Sequence, residues 1–303
     1  MDTLESLRRK IEGAEDIKAV VRTMKAVAAS NIGQYELALS SLGEYYYTIA
    51  LGVVAYFHAE KIEKIKETKA LAKKDQKLTC AIVFGSDQGL VGSFNDTLTD
   101  FVTESLNAMP GKKEVWGVGE RIQLLLADTG LNVTKKFLVP GSVNAITPLI
   151  GEILVQSQNS AEKQQMKEFY IFHNQPKPGS GYLSVRQRLL PMDETWWQGF
   201  KDIQWPTKLL PQVAGGLKPT LSALIREYLF VSLFKSCAES LDSENASRLA
   251  AMQRAEKNIE EMLDDLNNNY HLTRQSSIDE ELFDVVSGFE ALKGDSQYGG
   301  KKI

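Results

Sequence analysis

LESLRRKIEGAEDIKAVVRTMKAVAAS, residues 4–30, decides how the chain is to be read. Apolar residues recur at Leu4, Leu7, Ile11, Ala14, Ile17, Val21, Met24 and Ala28, in steps of 3, 4, 3, 3, 4, 3 and 4. This is a seven-residue repeat with one slip, the pattern of a helix that lays a long stripe against another helix. No proline occurs before Pro110, so the spacing predicts unbroken helix from about Thr3 to about Glu60. At a rise of ~1.5 Å per residue, such a helix is roughly 85 Å long.

The pattern returns at the other end. After Pro219 a helix can start at Thr220 and run to Ser287 without proline or glycine. Met252, Ala255, Ile259, Met262 and Leu266 carry one stretch of the stripe, and Ile278, Leu282, Val285, Phe289 and Leu292 another. Two helices several times longer than the average of about 11–12 residues must bury their stripes on each other or in a partner.

Between them the period changes. Leu78–Gly85 (LTCAIVFG), Lys113–Val118, Asn132–Val139, Glu168–His173 and Tyr182–Leu190 read as strands, and Gly92–Ala108, Glu120–Asp128 and Asn144–Asn159 as helices. Strands alternating with helices indicate a mostly parallel sheet covered on both faces. The fold class expected is therefore α/β: a long antiparallel coiled coil of the N- and C-terminal helices with an inserted, Rossmann-like α/β domain. Residues 1–60 and 219–293 form the shaft, 61–77 a Lys/Glu-rich linker and 78–190 the α/β foot domain. Residues 191–218, with Trp196, Trp197 and Trp205, make an irregular connector, and 294–303 a tail.

Composition excludes several classes. With 35 Lys+Arg against 39 Asp+Glu, the 303 residues carry a net charge of -4, unlike a general nucleic-acid binder. Two cysteines, Cys80 and Cys237, lie far apart in apolar surroundings, which rules out a disulfide scaffold and makes a reducing compartment the default. The longest apolar run, Tyr45–Phe57, falls short of the about 20 residues that a membrane span requires. Met1 leads directly into a charged helix, so an intracellular, non-spanning chain is expected.

Signatures of chemistry are sparse. His58, His173 and His271 each stand alone, and no HxxxH or CxxC spacing suggests zinc. The best candidate for a ligand loop is GSDQGLVGSFN, Gly85–Asn95, between the first strand and a helix. Its G-x-x-x-G-x-x-G spacing is neither the dinucleotide fingerprint nor the P-loop, and a structural turn is the better reading. Arg274 and Gln275 lie in a polar stretch, Thr273–Ser277, that interrupts the C-terminal stripe. They are either a solvated face or a recognition patch, because arginine presents a rigid donor fork suited to carboxylates. Arg8, Arg9 and Lys10 form a basic cluster with the same two readings.

Several segments, in order along nearly the whole chain, resemble the gamma subunit of rotary F-type ATP synthases. LRRKI and TMKAVAAS (Thr23–Ser30) are similar to the family's opening helix. SDQGLVGSFN (Ser86–Asn95) resembles its S-D-R-G-L-C-G-x-F-N signature. SENASRLAAM (Ser243–Met252) and RQSSIDEELFDVVSGFEAL (Arg274–Leu292) resemble its most diagnostic stretch. The resemblance implies a central-stalk rotor subunit that couples ion translocation at a membrane ring of c subunits to ATP synthesis or hydrolysis in an alpha3-beta3 hexamer. The partners implied are the alpha and beta subunits, the epsilon subunit and the c-ring. No cofactor, no catalytic residue and no metal are expected in this chain, and contact with the membrane is only peripheral. The location implied is the cytoplasmic face of a bacterial cell membrane. Residue by residue, Arg274 and Gln275 match a pair that hydrogen-bonds a beta-subunit loop. Met24 and Lys25 match the region near the acidic lever segment of beta, and Arg8, Arg9 and Lys10 a basic upper collar.

The sequence also departs from the family. Ala19-Val20-Val21 stand where Lys-Ile-Thr is usual, and Gln88, Val91 and Ser93 replace the common Arg, Cys and Gly. A divergent member is expected from this, and an alternative ATPase assembly is one origin consistent with it. Two rival readings remain: a free-standing α/β nucleotide-binding enzyme that dimerises through a coiled coil, and a coiled-coil adapter of another complex.

Overall fold

The computed structural model describes residues 3–59, 78–164, 166–177, 181–193, 196, 198–200, 202–207, 209, 211, 213 and 216–298. The linker expected at 61–77 lies outside them. The first helix, α1, spans Leu4–Ala59. Thr3 starts it, its hydroxyl accepting from the Ser6 amide at 3.2 Å and its carbonyl from the Leu7 amide at 3.0 Å. The last helix, α5, spans Leu217–Tyr298. It begins earlier than expected because Pro219 falls in its first turn, where a missing N–H breaks no intrahelical bond. It also passes Gly288 and the start of the expected tail, at a propensity cost of about 1 kcal/mol per glycine.

Two compact units divide the chain, and each of the two long helices contributes to both. Residues 27–251 hold a five-stranded sheet. Its elements are β1 (Leu78–Phe84), α2 (Phe94–Asn107), β2 (Lys112–Val118), α3 (Glu120–Asp128), β3 (Val133–Phe137), α4 (Val143–Gln164), β4 (Met166–Pro176) and β5 (Tyr182–Leu190). The strand order is β3-β2-β1-β4-β5. β1, β2, β3 and β4 run parallel, and β5 returns antiparallel on the edge. The single reversal agrees with the mostly parallel sheet read from the sequence.

Strand period decides what covers each face. Ala81 and Val83 of β1 face Leu98, Val102 and Leu106 of α2 and Ile122 and Leu126 of α3. Cys80, Ile82 and Phe84 face the other way, into a core with Ile146, Ile150 and Ile153 of α4. That second core also contains Leu233, Cys237, Ala238 and Leu241 of α5 and Tyr35 of α1. The terminal helices are therefore a layer of the α/β unit itself, closing the sheet face that α4 leaves open. Each fully buried Ile, Leu or Phe there contributes about 1.5–3 kcal/mol. A further cluster joins Ile49, Val53 and Phe57 of α1 to Tyr228 and Val231 of α5 and to Phe200. Trp196 stacks into it, with ring centroids 4.7 Å from Phe200 and 5.4 Å from Tyr228. Met192, Trp196, Phe200 and Ile203 of the connector thus pack in a cluster shared with both helices.

The other unit contains residues 1–26 and 252–303. Here Lys18 Nζ lies 3.0 Å from Glu260, and Arg22 Nε 2.7 Å from Glu256. Lys25 also binds Glu256. Partner numbers fall as the α1 numbers rise, so the helices run in opposite directions in this unit. Burial along α1 refines the stripe. As far as Tyr35 the buried positions are Leu7, Ala14, Val21, Ala28 and Tyr35, spaced by seven, while Ile17 is 57% exposed. Lys18, not Ile17, is the half-buried residue; the slip read from the sequence is an apolar side chain outside the seam and a lysine inside it. On α5, similarly, Leu263 is buried and Met262 exposed. Among the described residues, no helix is long and apolar enough to cross a membrane.

Candidate functional site

The Gly85–Asn95 loop brings three strand ends together. The Ser86 amide donates to Asn95 Oδ1 at 3.0 Å, and Asn95 Nδ2 donates to Ser86 Oγ at 2.7 Å. Asp87 Oδ1 accepts from the Glu120 amide at 3.0 Å, capping α3, and the carboxylate also accepts from the Val139 amide at 3.3 Å. A carboxylate thus occupies the α3 N-terminus, where a phosphate would gain most from the helix dipole. Close approach fixes the glycines. A Cβ on Gly85 would lie 2.3 Å from Ile122 Cβ, and one on Gly119, at φ +111°, 2.6 Å from the Ser86 carbonyl oxygen. Leu90 adopts the left-handed region at φ +62° with its side chain exposed. The polar groups of the loop serve the protein's own backbone, which supports the structural-turn reading.

The contact candidates lie on α1 and α5. Arg8 pairs with Glu12 at 3.1 Å and Arg9 with Glu5, in one-turn salt bridges. Lys10 is exposed. Exposed pairs of this kind contribute about 0.3–0.5 kcal/mol each, so they leave the cations accessible to a stronger acidic partner. Met24 is half-buried. Lys25, in contrast, is engaged inside the chain through Glu256. Hydrogen bonds from Lys25 and then Arg22 hold the Glu256 carboxyl down to about 2. Arg274 and Gln275 are exposed on α5. Beyond Leu263 no described residue of α5 is buried as far as Phe289. Leu272, Ile278, Leu282, Phe283, Val285 and Val286 are 49–73% exposed there.

Sequence reasoning missed the polar run of α5 inside the α/β unit. Ser240 Oγ donates to the Phe84 carbonyl at 2.8 Å, and Asn31 Nδ2 of α1 to Asn245 Oδ1 at 3.2 Å. Glu239 meets His173 Nε2 of β4 at 2.8 Å. Nothing in the spacing of a lone histidine and a helical glutamate announces that contact. Both cysteines are buried and free, and burial pushes their thiols up. Among the described residues, no group of His, Cys, Asp and Glu is arranged to hold a metal.

A family model described as ATP synthase matches residues 3–292. The ATP synthase gamma chain of Bdellovibrio bacteriovorus is 24% identical over 97% of this chain and 100% of its own length. That of Wolbachia pipientis subsp. Culex pipiens is 27% identical over 96% and 100%. Among solved structures, the central stalk of the Tetrahymena thermophila mitochondrial ATP synthase covers 78% of this chain and 99% of its own, at 23% identity and a TM-score of 0.58. A chain of the OSCP/F1/c-ring assembly of the Euglena gracilis enzyme covers 99% and 98%, at 17% identity and a TM-score of 0.63. These structures show a shared fold of a mixed α/β sheet with long N- and C-terminal helices.

Proposed function

Because the chain belongs to the ATP synthase family, we propose that it is the gamma subunit, the central-stalk rotor of an F-type ATP synthase. In this reading it transmits rotation between a membrane c-ring and an alpha3-beta3 hexamer, and the chemistry resides in its partners. The observation that carries the reading is the exposed apolar stripe at 272–289 on a helix otherwise built for packing. Apolar side chains exposed together in this way call for a partner. Relatives named ATP synthase gamma chain along their full length support the same partner.

Domain roles follow. Residues 1–60 and 219–293 act as an antiparallel coiled-coil shaft, supported by the seven-residue spacing of buried positions in α1. Residues 78–190 act as a Rossmann-like foot toward the epsilon subunit and the c-ring. Arg274 and Gln275 hydrogen-bond a beta subunit, Met24 and Lys25 lie near its lever segment, and Arg8, Arg9 and Lys10 form a basic collar. The protein is then peripheral to the membrane, on the cytoplasmic face of a bacterial cell. Different contacts with different beta conformations are what let a turning shaft bias their equilibrium.

The test is assembly of the full chain with alpha and beta subunits, followed by native mass measurement and ATPase assay. One copy per hexamer, with activity reduced several-fold by Arg274→Ala plus Gln275→Ala, is the expected result. A chain that stays apart from the hexamer would overturn the reading.

A further inference from the structure

The edge strand β5 is tied to the two long helices by a short series of contacts through the connector. Arg188, opposite Tyr170 of β4 in the ladder, donates from Nη2 to Asp193 Oδ1 at 2.6 Å. The same oxygen accepts from the Trp196 amide at 3.2 Å, three residues on, as a helix-capping aspartate does. Two further turns follow: the Gly199 amide donates to the Trp196 carbonyl at 3.2 Å, and the Ile203 amide to the Phe200 carbonyl at 3.1 Å. They set Trp196 and Phe200 against Tyr228 of α5, with the Phe200 and Tyr228 ring centroids 5.9 Å apart. Tyr228 in turn meets Tyr46 of α1 at 6.1 Å. Tilted and edge-on rings at these distances attract beyond the burial of their area. Trp196 Nε1, however, is buried without a hydrogen-bond partner among the described residues. An unpaired buried N–H opposes the ring's place in the cluster, so the ring depends on the anchor of its backbone, and that anchor is Asp193.

We propose that Arg188, Asp193 and Trp196 form a latch that fastens β5 to the α1–α5 pair, so that the edge strand and the helix segments 49–57 and 228–231 loosen together. Arg188 and Asp193 are positioning residues, acting through Trp196. One carboxylate oxygen serves a guanidinium and an amide at once, which couples strand to ring: a change at one partner is felt by the other. The sheet already holds α5 near its centre, where Leu233, Cys237 and Ala238 share a core with Ile82 and Phe84 of β1. β5 is the outermost strand, so the latch is a second hold, and a load on the helices is divided between centre and edge. This goes beyond the rotor reading and concerns the chain alone.

Native-state hydrogen exchange of the full chain tests the latch. Arg188→Gln is expected to speed exchange at 49–57 and 228–231 about fivefold, the loss of one part-buried ion pair and of the amide contact it steadies. Trp196→Leu is expected to speed exchange of the β5 amides by a similar factor, because coupling is reciprocal. The double variant is expected to add little to either single one. Arg186→Gln is the control, on the same strand with its guanidinium 5.7 Å from the Tyr170 ring, and should leave the helix amides unchanged. In Arg188→Gln the amides of α2, packed on the sheet through Leu98, Val102 and Leu106, should keep their rates. Unchanged helix amides in Arg188→Gln, a rise there that also takes in α2, an equal rise in Arg186→Gln, a Trp196→Leu that loosens the helices alone, or additive effects in the double variant would each overturn the proposal.

Discussion

Glu256 accepts from both Lys25 and Arg22 across the two helices, and its carboxyl sits at about 2 as a result. A lowered carboxyl stabilises the fold above its unfolded value of 4.5 and loses that contribution as pH falls toward 2. Thermal unfolding scans between about pH 6 and about pH 2.5 should show a decline that Glu256→Gln flattens, and about 0.5 M salt should shrink the difference because the cluster is open to solvent. Unequal salt sensitivity of the two proteins is the sign to look for; equal curves would mean that the pairing does not hold the helices. Asp87 makes a different kind of contribution, capping α3 and holding the Val139 amide. Asp87→Ala should cost about 1–2 kcal/mol, measured as a lowered denaturant midpoint, with Asp87→Asn less severe because it keeps an acceptor.

At the scale of elements, the heptad seam of α1 distinguishes adjacent positions sharply. Ala28 is 1% exposed and Val27 54%. Ala28→Leu should overpack the seam and cost about 1–3 kcal/mol, whereas Val27→Leu should stay within about 0.5 kcal/mol in the same unfolding assay. The sequence made the helices and strands legible because their periods, near 3.5 and 2, are written in apolar residues. It misplaced Ile17 and Met262 because hydrophobicity alone does not distinguish a seam residue from its exposed neighbour. Lysine takes a seam position here because its stem packs while its ammonium reaches Glu260. The cover of the second sheet face was equally hidden. Leu233, Cys237, Ala238 and Leu241 read as one more stretch of shaft, and only the topology shows them against β1. The polar contacts of Glu239 and Asp87 join residues 66 and 52 positions away, and no local spacing encodes such pairings.

For the molecule as a whole, the distribution of apolar surface separates the readings. A free-standing enzyme would bury its stripes within the chain or in a copy of itself. A rotor keeps one stripe for partners that change shape around it. Phe283 is 73% and Val286 49% exposed, so replacing both by aspartate removes apolar surface without opening a core. The unfolding midpoint should then move by no more than about 0.5 kcal/mol, and helix content should be unchanged. Assembly with alpha and beta subunits should be lost, and self-association of the isolated chain should fall, both read by native mass measurement. The two readouts separate the causes. Lost assembly with an intact fold places the stripe in the partner interface. A lowered midpoint with assembly retained would instead mean that 272–289 packs within this chain or its own copy, and the enzyme or adapter readings would regain their ground.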